Sequence, residues 1–112
     1  MRLDDLVRYL DDYLRIREVA DERNALNGLQ VENAGQVGQI AAAVDACQAT
    51  IDAAAERGAD LLLVHHGLFW NGLEPLTGRA YRRTAALVRH GIAVYACHIP
   101  LDRHPDVGNN VL

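Results

Sequence analysis

The sequence has no lysine; all eleven of its basic residues are arginine. With seventeen alanines in 112 residues, this reads as the coding bias of a GC-rich genome. The net charge of −4 excludes non-specific nucleic-acid binding, which needs a basic face. No apolar run approaches the roughly 18 residues of a membrane span. The first residues, MRLDDLVRYLDD, are acidic and amphipathic, unlike a secretory signal. Only Cys47 and Cys97 are present, without CxxC spacing, so a zinc ribbon has no support. Both read as buried free thiols of a reducing cytoplasm. There is no glycine-rich phosphate loop, no repeat and no local signature of Ser-His-Asp or Cys-His catalysis.

Half the residues are apolar and about a quarter charged, the composition of one globular domain over residues 1–112. Leu3, Leu6, Val7, Leu10 and Leu14 lie on one helix face, which predicts a helix over about 2–14. Asp4 and Asp5 suit its first turn. Residues 15–27 are polar and end on the Asn27-Gly28 turn signal. Leu29 to Glu32 reads as a short strand. Gln39 to Val44 reads as a buried strand, and Asp45 with Gln48 as a capping box opening a helix. Cys47, Ile51, Ala54 and Ala55 share that helix's inner face, and Gly58 ends it. Asp60 to Val64 is a second buried strand.

A further helix is expected over about 79–89, with Ala80, Thr84, Leu87 and Val88 inward and His90-Gly91 at its end. Ile92 to Cys97 is the third buried strand, which Pro100 and Pro105 stop. Gly108-Asn109-Asn110 reads as a turn into another helix. Strand, helix, strand repeated in this way builds βαβ units. The expected fold is therefore a three-layer α/β domain with a mixed, partly parallel sheet.

Parallel α/β sheets bind ligands beyond the carboxyl ends of their strands. His65-His66-Gly67 follows the second buried strand; His98, with Asp102 four residues on, follows the third. Four good metal ligands thus share one sheet edge. Adjacent strand residues point to opposite sides. His65 and His66 are therefore expected to hold one ion each of a pair ~3.5–4 Å apart, with Asp102 able to bridge them. Imidazole with carboxylate suits zinc, iron or manganese. His104 reads as a surface histidine or an orienter of a ligand; His90 reads as a surface residue at a helix end. Leu68-Phe69-Trp70 reads as a hydrophobic plug, with a base-stacking platform as the alternative. Arg79, Arg82 and Arg83 read as a solvated helix face or as phosphate contacts.

Three blocks occur in order: Asn27-Gly28-Leu29-Gln30-Val31-Glu32, His65-His66-Gly67-Leu68-Phe69-Trp70, and His98-Ile99-Pro100-Leu101-Asp102 followed by Pro105 and Gly108-Asn109-Asn110. Together they resemble the GTP cyclohydrolase I type 2-like family, toroidal hexamers with a dinuclear metal centre. The resemblance runs over nearly all 112 residues and corresponds to the family's N-terminal half. It implies metal-ligand roles for His65, His66 and Asp102, and leaves His98 as ligand or orienter. It further implies two divalent ions per site, a homohexamer, and a hydrolase-like activity on a nucleotide or pterin-like small molecule in the cytoplasm. The family draws a further His and Glu, four apart, from its C-terminal half. This chain has no such pair, so little turnover is expected from it alone. A metal-binding scaffold or regulator, or an inactive relic, is the alternative.

Overall fold

In a computed structural model, residues 1–70 and 72–108 are described. The turn read at Asn71 and the helix start read at Asn109-Asn110 lie outside them. The elements run α1 (Leu3–Tyr13), β1 (Gly28–Val31), β2 (Ile40–Asp45), α2 (Gln48–Glu56), β3 (Leu61–His66), α3 (Gly78–His90), β4 (Ala93–Ala96) and α4 (Ile99–Asp102). The sheet order is β1-β4-β3-β2. β2, β3 and β4 are parallel, and β1 joins β4 antiparallel. The mixed α/β sheet expected from the sequence is what forms.

The period-2 alternation of the inner strands sorts the core into two halves. Leu62, Val64, Val94 and Ala96 pack with Ile51 and Ala54 of α2 and Leu87 of α3. Leu61, Ala93, Tyr95 and Cys97 pack with Leu3 and Leu6 of α1. Tyr95 has no exposed surface, and its hydroxyl donates to the Asp11 carboxylate at 2.7 Å. Burial and that bond both push its ionisation up. Helices on both faces of the sheet bury β3 and β4, which is why these strands read as unbroken apolar runs.

Several local expectations are corrected. Asp45 is the last residue of β2, and α2 is instead capped by Cys47, whose sulfur and Thr50 form the reciprocal box. Cys47 is consequently exposed; Cys97 is buried as expected. Val88 of α3 is exposed, whereas Leu87 carries that helix's contact. β3 runs on through His65 and His66 rather than stopping at Val64. Pro100 does end the strand pattern, but it does so by entering the first turn of α4, where its missing N–H costs nothing. Gly58 after α2 and Gly91 after α3 take positive φ, as helix-stopping glycines do.

Candidate metal centre

Three imidazoles meet at the carboxyl edge of the sheet. His65 and His66 end β3, and His98 follows the neighbouring β4. Their ring centroids lie 4.6 Å (His65–His66), 4.8 Å (His65–His98) and 5.5 Å (His66–His98) apart. One ligand atom from each falls within 4.8 Å of the others. His65 leans toward β4, where its Nδ1 donates to the Cys97 carbonyl at 2.9 Å. His66 leans toward β2, where its Nδ1 meets Oδ1 of Asp45, its register partner, at 2.7 Å. Both rings can then face one point.

His98 is held most firmly. Its Nδ1 lies 2.9 Å from Asp21 Oδ1, and its backbone N–H donates to Asn27 Oδ1 at 2.7 Å. The second Asp21 oxygen accepts from the Ile99 N–H at 2.8 Å and from the Asn27 amide at 3.1 Å. Burial would raise the Asp21 pKa. The hydrogen bonds from His98, Asn27 and the Ile99 and Glu22 N–H groups outweigh it and hold the carboxyl at about 2. Asp21 is thus an anion at neutral pH and can only accept.

That fixes the chemistry of the cluster. Each Nδ1 faces an oxygen acceptor: a carbonyl, the Asp45 carboxylate or the Asp21 carboxylate. The proton sits on Nδ1, and the lone pair sits on Nε2. Metal-binding histidines show the same arrangement, one nitrogen to the ion and the other to an orienting oxygen. Asp102 Oδ1 stands 3.6 Å from His65 Nε2, which supplies a carboxylate beside the imidazoles. A tetrahedral ion with bonds near 2.0–2.1 Å sets its ligand atoms ~3.4 Å apart. The widest histidine separation, 4.8 Å, exceeds that by an amount that small side-chain rotations close. The donor set fits a divalent ion.

His104 is not part of this group. It is buried, its Nε2 donates to the Tyr13 carbonyl, and its Nδ1 accepts from the Asp106 N–H at 3.1 Å. Both nitrogens are engaged by backbone, so it ties α1 to the segment after α4 instead of standing at the surface. His90 is exposed at the end of α3. Trp70 is a plug of a specific kind: it stands edge-on to His98 at 4.9 Å and to His66 at 6.0 Å, walling one side of the cluster. A Cβ at Gly67 would displace the end of the Gln30 side chain. That side chain accepts the Leu68 N–H at 2.8 Å and so fixes the turn after His66.

Sequence reasoning missed Asp21, the anchoring role of Asp45, and the bond from Asn27 to His98. Asp21 lies in a polar stretch without periodicity, 77 positions from His98. No local signal could have found it. Asn27-Gly28 did stand out, as a turn and as the start of one resemblance block, but with no role toward His98.

Fold and site together define an α/β domain with imidazoles gathered at the carboxyl edge of its parallel strands, in a group that could hold a metal ion. The chain belongs to the Duf34/NIF3 (NGG1p interacting factor 3) family, whose model matches residues 1–112. It is 54% identical over 107 residues to a GTP cyclohydrolase 1 type 2 homolog of Treponema pallidum, covering 95% of this chain and 37% of that protein. A homolog of the same name from Deinococcus radiodurans is 50% identical, with 97% and 41% covered. The crystal structure of TTHA1606 from Thermus thermophilus superposes with a TM-score of 0.92 at 50% identity, over 97% of this chain and 45% of that one. The chain thus spans about two fifths of the length of these relatives.

Proposed function

We propose that this chain carries the imidazole side of a divalent-metal centre in a metal-dependent hydrolase. The observation that carries the reading is the shared setting of His65, His66 and His98: each Nδ1 faces an oxygen acceptor, and one ligand nitrogen of each ring lies within 4.8 Å of the others. Asp102 is the fourth ligand we assign, from its place beside His65. The ion would be zinc, iron or manganese, the metals that imidazole with carboxylate suits. We propose two ions per site in the longer proteins of this family. When bound, such an ion polarises a substrate bond and lowers the pKa of water.

The chain's own residues supply the rest. Asp21, Asp45 and the Cys97 carbonyl hold the tautomers in which Nε2 can bind. Trp70 keeps water from one side of the cluster. The substrate class we propose is a nucleotide or pterin-like small molecule, consistent with the name carried by the curated relatives. We further propose a homo-oligomer, a hexamer in the longer proteins. Ile40 and Val44, both more than half exposed on edge strand β2, are apolar surface that association would cover. No helix among the described residues is long and apolar enough to cross a membrane. Two free thiols suit a reducing cytoplasm, where we place the protein.

The test is to load the chain with zinc, iron(II) or manganese and assay hydrolysis of GTP and of a reduced pterin. A metal-dependent rate that is lost in His66→Ala supports the hydrolase. Since little turnover is expected from this chain alone, it is metal held by the same histidines without turnover both here and in a full-length relative that supports the scaffold.

A further inference from the structure

A second feature lies at the same sheet edge, on the other side of Trp70 from the histidines. An inner recess of about 160 Å³ is walled by Leu68, Phe69 and Trp70. An outer mouth of about 520 Å³ opens between Glu74, Thr77 and Arg79. Arg83 lines both, as do Glu74 and Ala80.

The Arg83 Nε is buried and makes no hydrogen bond among the described residues. Among the described residues no ion pair involves Arg83, Arg79 or Arg82. A buried donor without a partner costs about 1–3 kcal/mol, more when charged, so such groups are normally matched. The surrounding field points the same way. α3 begins at this mouth; Thr77 makes no side-chain cap bond, and the first turn has no acidic residue. The start of a helix favours negative charge. Here it carries Arg79, Arg82 and Arg83 instead. Glu74, exposed at the mouth, is the one carboxylate lining either cavity.

We propose that Arg83, aided by Arg79, binds the phosphate group of a phosphate monoester, whose organic part rests on Trp70 and Phe69. A phosphate offers several acceptor oxygens to the arginine fork and to the free N–H groups at the helix start. The aromatic wall behind it distinguishes an ester from a bare ion. Whole small-molecule ligands occupy pockets of ~300–1,000 Å³. The recess is smaller, so it takes a single ring or short chain next to the phosphate. The site uses none of the histidines, and its occupancy does not depend on a metal.

Trp70 is the single tryptophan of the chain and reports directly on the recess. The experiment titrates the chelator-treated 112-residue chain with inorganic phosphate, phenyl phosphate and phenol at fixed ionic strength, following Trp70 fluorescence. The expected result is saturable binding of both phosphates, with phenyl phosphate tighter and phenol silent. Arg83→Gln should weaken phenyl phosphate about tenfold or more, the worth of one charged hydrogen bond. Arg79→Gln should weaken it severalfold and serves if the first variant fails to fold. Arg89→Gln, which alters an arginine at the other end of α3, should bind normally, which separates this site from a general effect of charge. Equal affinity for the two phosphates would assign the site to free phosphate and overturn the ester. A linear, non-saturating response, or full affinity in both arginine variants, would overturn the site altogether.

Discussion

Replacing Asp21 with Asn tests whether the histidines are held for binding. The change keeps shape and removes charge. In the native chain both carboxylate oxygens accept, from His98, Asn27 and the Ile99 and Glu22 N–H groups. An asparagine must turn its NH2 toward one of these donors, so at least one buried bond becomes a clash. The Asp21 pKa falls from an ordinary 3.8 to about 2 despite burial, because those bonds outweigh it. At about 1.4 kcal/mol per tenfold, neutralising the group costs roughly 2–2.5 kcal/mol. The side chain is 5% exposed, so little of this is screened. For a domain of this size that is a fall in Tm of about 8–12 °C for the metal-free protein. Zinc affinity, measured by competition with a chromophoric chelator, should fall about 10–100-fold as His98 loses its orienting partner. The pH dependence has a definite sign. The folded pKa lies below the unfolded one, so the Asp21 contribution is complete above about pH 4–5. It is lost as the pH falls toward 2, and Asp21→Asn should lack that part of the acid transition. A folded Asp21→Asn protein with zinc affinity within twofold of the parent would refute the reasoning.

Other outcomes follow from the same coordinates. Gly67→Ala places a methyl against the Gln30 amide, and its zinc affinity should drop because the turn after His66 must shift; chelator competition reads it. In Gly108→Ala the new Cβ runs into the His104, Asp102 and Leu101 carbonyls. Backbone cannot yield as a side chain does, so urea unfolding should show a loss of about 1–3 kcal/mol. Ile51→Ala empties a site with no exposed surface and should cost about 2–5 kcal/mol in the same assay. A thiol reagent should label one cysteine per native chain. Cys47 is exposed and its thiol is lowered by the Thr50 N–H and hydroxyl, whereas burial pushes the Cys97 thiol up to about 12; peptide mapping identifies the labelled residue.

The layered fold was legible because β3 and β4 are buried on both faces. Leu61–Val64 and Ile92–Cys97 are unbroken apolar runs, and each is preceded by a helix with one apolar face. The convergence of His65, His66, His98 and Asp102 was legible too, since parallel neighbours deliver their carboxyl ends to the same edge. Details decided by one or two residues were not. Asp45 has the chemistry of an N-cap, yet its carboxylate serves His66 across the strand pair, and the cap falls two residues later on Cys47. The groups that orient the two rings, the Cys97 carbonyl for His65 and the Asp45 carboxylate for His66, come from the two flanking strand ends, and no local pattern announces them. The choice for His104 between a surface residue and an orienter could not be read locally, because its partner, the Tyr13 carbonyl, is 91 positions away. Contacts at such separations leave no periodicity to read.

If His65, His66 and His98 together hold a divalent ion through Nε2, a zinc titration of the 15N-histidine-labelled chain will show it in the ring nitrogen resonances. Nε2 of all three should shift on zinc binding, while each Nδ1 keeps its proton. Zinc should saturate near one equivalent, be released in acid, lose most of its binding in His66→Ala and bind unchanged in His90→Ala. Zinc bound through Nδ1, or bound equally well by His66→Ala, would show that these imidazoles do not hold the ion in this way.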